Sequence, residues 1–139
     1  MTPDGLVTSV SSFCPKETMD RLVAILTGRG MSILARIDHA AAATKVGMHL
    51  RPTEVLIFGN PRAGTPLMQA TQTIGIDLPH KALVWQDNDG KTWLAYSDPA
   101  WLAKRHGLLI GSAGNLRSMA DALAAAAAEA TTMIDRVAS

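Results

Sequence analysis

The chain has 139 residues, 47 % hydrophobic and 18 % charged, which is the composition of a folded globular domain rather than a disordered segment. Thirteen Lys and Arg against twelve Asp and Glu leave a formal net charge of +1, which speaks against a nucleic-acid binder or a partner of anionic membranes. A lone cysteine, Cys14, excludes an internal disulfide and a cysteine-based zinc cluster.

The length suits one domain, 1–139. No basic n-region opens the chain and no apolar tract is long enough to span a bilayer, so the expectation is a cytoplasmic protein.

Leu6 to Ser12 favours a strand. Cys14 then stands as a cap, Pro15 at the first helical position and Glu17 three residues after the cap, with Met19, Leu22, Val23 and Leu26 at helical spacing. Gly28 and Gly30 end that helix. Met31, Ile33, Ala35 and Ile37 alternate with more polar neighbours, the pattern of a half-buried strand. His39 to Val46 forms a short helix closed by Gly47, and Val55 to Phe58 is a buried strand.

Next comes FGNPRAGTPLM, Phe58 to Met68. Thr65 reads as the cap and Pro66 as the first residue of a helix carrying Leu67, Ala70, Thr71 and Ile74. Ala82–Gln86 and Thr92–Ser97 flank Asp89-Gly90, a hairpin signal. A turn at those two residues sets Trp85 opposite Leu94 and Leu83 opposite Tyr96, on one bulky face. Asp98-Pro99 starts a short helix to His106 and Gly107. From Asn115, Leu116, Met119, Leu123, Ala126, Ala130, Met133 and Val137 form a seam on an alanine-rich helix over 115–137, packed on its own sheet or on a partner subunit.

The order β-α-β-β-α-β-β-α implies an α+β fold in two layers. About five strands form a largely antiparallel or mixed sheet, with helices on one face. The other sheet face, expected to carry Trp93, Val84 and Leu34, needs cover.

Gly59 and Gly64 have the glycine spacing of a phosphate-binding P-loop, but the two positions that should be Lys and Ser or Thr are Thr65 and Pro66. A nucleotide-hydrolysing loop is therefore excluded. What survives is a helix start with free amides and Arg62 beside it, suited to a carboxylate or phosphate. The expected ligand-binding residues are Asn60, Arg62, Gly64, Thr65 and Lys81, with His39 as a neighbour.

The rival is a small enzyme using His39 as acid–base with Asp38 or Glu54, which requires these groups within hydrogen-bond reach or in one pocket. The four histidines lack metal-helix spacing; a site built from His39, His49, Glu54 and His80 is conceivable, but no metal and no cofactor is expected. Cys14 at a helix start is a candidate reactive thiol.

The stretch from Ile37 to Pro99 resembles the family called domain of unknown function 302. The carrying features are Asp38-His39, Gly47, Arg51-Pro52-Thr53-Glu54, Phe58-Gly59-Asn60-Pro61, Gly64-Thr65, Leu67-Met68, Asp77-Leu78-Pro79 with Lys81, and Asp89-Gly90. The resemblance implies a small domain of mixed or antiparallel sheet with helices, and no catalytic residues. The expectation is a module that binds a small anionic molecule or dimerises, as a homodimer, with a purely structural dimerisation domain as the alternative.

Overall fold

In the computed structural model, which describes residues 2–108 and 115–133, five strands form one sheet in the order β1-β5-β4-β3-β2. They are β1 (Leu6–Ser11), β2 (Ser32–Asp38), β3 (Thr53–Gly59), β4 (His80–Gln86) and β5 (Thr92–Ser97), and every neighbouring pair is antiparallel. The helices are α1 (Pro15–Gly28), α2 (His39–Lys45), α3 (Pro61–Ala70), α4 (Pro99–Arg105) and α5 (Asn115–Thr131), with a short 3-10 turn over Gln72–Ile76. The fold is an α+β open antiparallel sheet.

Register assigns the faces. Leu56, Phe58, Ala82, Val84, Leu94 and Tyr96 turn towards α1 and α5 and join Met19, Leu22, Leu26, Leu123, Ala126 and Ala130 in the main core. The alternation of buried and half-buried residues along β3 and β4 reflects that single covered face. A second cluster of Leu67, Ile74, Ala103, Leu108 and Met119 joins α3, the 3-10 turn, α4 and the start of α5. The seam of α5 is thus consumed inside its own protomer, although Met133 is exposed. Val137 lies outside the described residues.

The expected hairpin register is corrected. Trp85 pairs with Trp93 and Leu83 with Ala95, while Leu94 faces Val84 and Tyr96 faces Ala82. Asp87 causes the change, because its carboxylate accepts the Asp89 and Lys91 amides at 2.9 Å and the Trp93 indole N–H at 2.8 Å. The loop therefore runs from Asp87 to Lys91, longer than a two-residue turn, with Gly90 at φ +80°. Val84 consequently lies under the helices at 1 % exposure rather than on the other face. The uncovered face holds Trp85 stacked on Trp93 at 6.4 Å, with Leu83, Val55, Ile57, Ile37 and Val10 around them by register.

The start of α3 is the second correction. Asn60, not Thr65, is the cap, and Pro61, not Pro66, is the first helical residue. Thr65 and Pro66 lie inside the helix. The first turn accommodates this shift because Asn60 supplies both a side-chain oxygen and a carbonyl to it.

Candidate functional site

A cavity of about 280 Å³ opens where the ends of β2, β3 and β4 meet α3. Gly59, Asn60, Gly64 and Thr65 border it on one side, and the Leu78-Pro79 pair with His80 borders it on the other. Space at Gly59 is tight: a Cβ there would lie 3.3 Å from Cβ of Pro79. Leu34 reaches the rim because β2 carries a bulge between Ile33 and Ala35, which inserts an extra residue into the edge strand. Leu34 is 60 % exposed, so the rim is apolar and open to solvent.

His80 is the polar group most deeply set in this wall, at 9 % exposure. Its ring packs against Phe58 with centroids 5.8 Å apart. Among the described residues neither ring nitrogen has a hydrogen-bond partner. Burial, and secondarily the neighbouring Lys81 ammonium, lower the imidazole pKa below its ordinary value. Among the described residues no member of the lining carries a permanent charge: the polar members are Ser32, Asn60, Thr65 and His80.

Of the residues expected at an anion site, Asn60, Gly64 and Thr65 line the cavity and Arg62 and Lys81 do not. Lys81 pairs with Ile57 on the uncovered sheet face, where its side chain is exposed. Arg62 is exposed beside the helix start. The amides that were to form the anion cradle are already used: Asn60 Oδ1 accepts from Arg62 N–H, and the Asn60 carbonyl accepts from Ala63 and Gly64, each at 3.0 Å. Pro61 has no N–H to offer.

His39 is exposed at the start of α2 and makes no hydrogen bond to Asp38 or Glu54. The Asp38 carboxylate caps α2 by accepting the Ala41 amide at 2.9 Å. Glu54 is held by Arg36 at 2.5 Å, and Arg36 also reaches Asp20 at 2.7 Å. A second, more polar concavity of about 440 Å³ contains Cys14, Lys16, Arg36, Asp38 and Glu54 but not His39. Its charges answer one another, and Cys14 is an exposed thiol whose side chain does not cap α1. Among the described residues no three His, Cys, Asp or Glu side chains are placed to hold a metal ion, so His39, His49, Glu54 and His80 do not form the conceivable site.

Sequence reasoning missed His80 as a cavity residue, and Leu34, Leu78 and Pro79 with it. The stretch Leu78-Pro79-His80-Lys81 was legible only as a connection from helix to strand. The signal available was a histidine at a strand start directly after a proline, close to a glycine-rich strand end.

The chain belongs to the family described as Domain of unknown function DUF302, whose profile matches residues 7–135. It is similar to "Fluoride-specific ion channel FluC 1" of Brucella suis biovar 1 (strain 1330), 49 % identical over 115 residues, which is 83 % of this chain and 45 % of that protein. It is equally similar to "Fluoride-specific ion channel FluC 1" of Brucella abortus biovar 1 (strain 9-941), at 49 % over 115 residues and 43 % of that protein. The chain thus spans less than half the length of these curated relatives. Its fold is that of the crystal structure of an uncharacterized conserved protein DUF302 from Bacillus stearothermophilus, with a TM-score of 0.81 and 22 % identity, over 92 % of this chain and 99 % of that one.

Proposed function

We propose that this protein is a small-molecule-binding domain whose ligand lodges in the cavity between α3 and the ends of β2, β3 and β4. One observation carries the reading: a cavity of about 280 Å³ with an imidazole, His80, in its wall that has no hydrogen-bond partner among the described residues. Sites of roughly 300 Å³ and upward, apolar with a few placed polar groups, are where small ligands bind. An anionic ligand is the less supported form, because Arg62 lies outside the lining and the helix-start amides are spent.

Fluoride conduction is not carried over from the named relatives. The match leaves more than half of each of them outside it. Among the described residues no helix is long and apolar enough to cross a membrane.

Gly64 offers the test. A Cβ there meets only ordinary contacts, Leu78 Cδ1 at 3.7 Å and Met68 Cε at 4.0 Å. Gly64→Ala therefore fits, while Gly64→Leu projects into the cavity. In a thermal-shift screen of fragments and metabolites, a ligand of this site raises the melting temperature of the wild type and of Gly64→Ala but not of Gly64→Leu. A shift that survives in Gly64→Leu, or one lost only in Arg62→Ala, overturns the assignment.

A second reading, association of two copies, is favoured by the uncovered apolar sheet face around Trp85 and Trp93. Light scattering reads it directly. A dimer converted to monomer by Trp85→Lys supports it, and a monomeric wild type removes it.

A further inference from the structure

We propose, resting on the ligand-binding reading above, that the cavity selects an uncharged ligand with an apolar ring-sized body and one hydrogen-bonding group that meets the His80 ring. Size permits this. A protein cavity of about 150 Å³ lined by apolar side chains takes up benzene, and this one is about 280 Å³. A single substituted ring therefore fits with room for a short polar arm.

Charge selects against ions of either sign. Among the described residues the lining has no Lys, Arg, Asp or Glu, and α3 presents no free amide at its start. An anion entering such a site sheds part of its water and gains no counter-charge, and a cation fares no better. Lys81, next to His80 in the chain, lies on β4 with its side chain exposed and outside the lining.

A hydroxyl or an amide is a different matter. Among the described residues no buried side-chain nitrogen or oxygen lacks a partner, so the His80 nitrogens open on the cavity rather than lying sealed in the core, and a ligand group that donates to or accepts from one replaces water there. The depressed pKa of His80 keeps the ring neutral near pH 7, with one nitrogen a donor and the other an acceptor. Phe58, whose ring centroid is 5.8 Å from that of His80, braces the imidazole from the core side.

The experiment compares four probes on one ring: toluene, benzyl alcohol, benzoate and benzylamine. Amide shifts of Gly64 and Thr65 are followed by NMR titration at pH 7.5. The expected order is benzyl alcohol first, toluene about three- to tenfold weaker for want of one hydrogen bond, and both ions weaker still by about a hundredfold or more. His80→Phe, of similar shape, should keep toluene binding and abolish the preference for the alcohol. Tightest binding by benzoate or benzylamine overturns the selection of uncharged ligands. An alcohol preference that persists in His80→Phe overturns the role of His80. Binding by none of the four overturns the ligand class, and the reading of the cavity falls with it only if the fragment screen on Gly64 variants is also blank.

Discussion

His106 Nε2 lies 2.5 Å from Asp77 Oδ2, and its other ring nitrogen, Nδ1, lies 3.0 Å from Thr73 Oγ1. One imidazole at the end of α4 thus holds both ends of the 3-10 turn, above the satellite core of Leu67, Ile74 and Ala103. The ring spans the Asp77 carboxylate and the Thr73 hydroxyl, and the hydroxyl can donate to or accept from Nδ1 according to the ring's tautomer. Arg105 adds a bond at 2.9 Å to each Asp77 oxygen, but its side chain is half exposed and the pair is worth little by itself.

His106→Ala is expected to destabilise the fold by about 1–2 kcal/mol, since a half-buried carboxylate loses a partner. Thr73→Val is expected to cost about 0.5–1 kcal/mol, because only the weaker of the two bonds is lost. Urea unfolding measures both. A His106→Ala loss below about 0.5 kcal/mol would show that the clamp contributes no stability.

Arg21 on α1 joins the two long helices. Its guanidinium donates to the carbonyls of Glu129 at 2.7 Å and Ala130 at 3.3 Å, at the end of α5, and lies 4.1 Å over the Phe13 ring. A cation there completes the unpaired carbonyls and opposes the negative end of the helix dipole. Arg21→Met keeps the apolar stem and removes the head. The expected cost is about 1–2 kcal/mol, discounted for partial exposure. Amide exchange should quicken first in the last turn of α5; uniform protection there would argue against the capping role.

What could be read from the sequence, and what could not, follows from the range of the forces involved. α1, β5 and α4 were legible because local signals agree with packing: Pro15 and Pro99 at helix starts, and a strand whose alternating residues meet one covered face. The α3 start and the hairpin register were misread for one shared cause. Each depends on a single side chain, Asn60 or Asp87, choosing backbone amides over water, and several neighbouring residues offered equally good caps and turns. The cavity was only half legible. Asn60, Gly64 and Thr65 lie together in sequence, whereas His80 and Leu34 arrive through the pairing of β4 and β2 with β3, which no local pattern specifies.

Gly5 shows the same dependence on distant contacts. It sits at φ +79°, and a Cβ built there would fall 2.3 Å from the Trp101 indole. Its carbonyl accepts the Asp98 amide at 2.8 Å, so the loop before β1 cannot simply move away. Gly5→Ala combines backbone strain with a clash and is expected to cost about 1–3 kcal/mol. Trp101→Ala should relieve the steric part. The double variant Gly5→Ala/Trp101→Ala is therefore expected to be less destabilised than the sum of the single variants, and simple additivity would show that the ring is not what the new methyl group meets.

The pH dependence of stability should carry the mark of His80. Burial lowers its folded-state pKa below the ordinary 6.5, with Lys81 adding to the effect. The unfolded chain therefore binds a proton at this position that the folded chain refuses. Stability from this group is fully present above about pH 6.5 and falls as the pH drops below it, with a slope of at most about 1.4 kcal/mol per pH unit until the folded ring also protonates. The carboxylates contribute in a lower window: Asp20, held below its ordinary 3.8 by Lys16 and then Arg36, and Asp87, lowered chiefly by the Trp93 indole, lose their share only as the pH falls through the acid range. The two windows separate in urea titrations between pH 8 and pH 3. In His80→Phe the decline beginning near pH 6.5 should vanish while the acid limb stays. A wild-type curve flat from pH 7 to pH 5 would mean that the His80 ring reaches enough water to protonate in the folded state, and would remove the neutral imidazole on which the ligand selection rests.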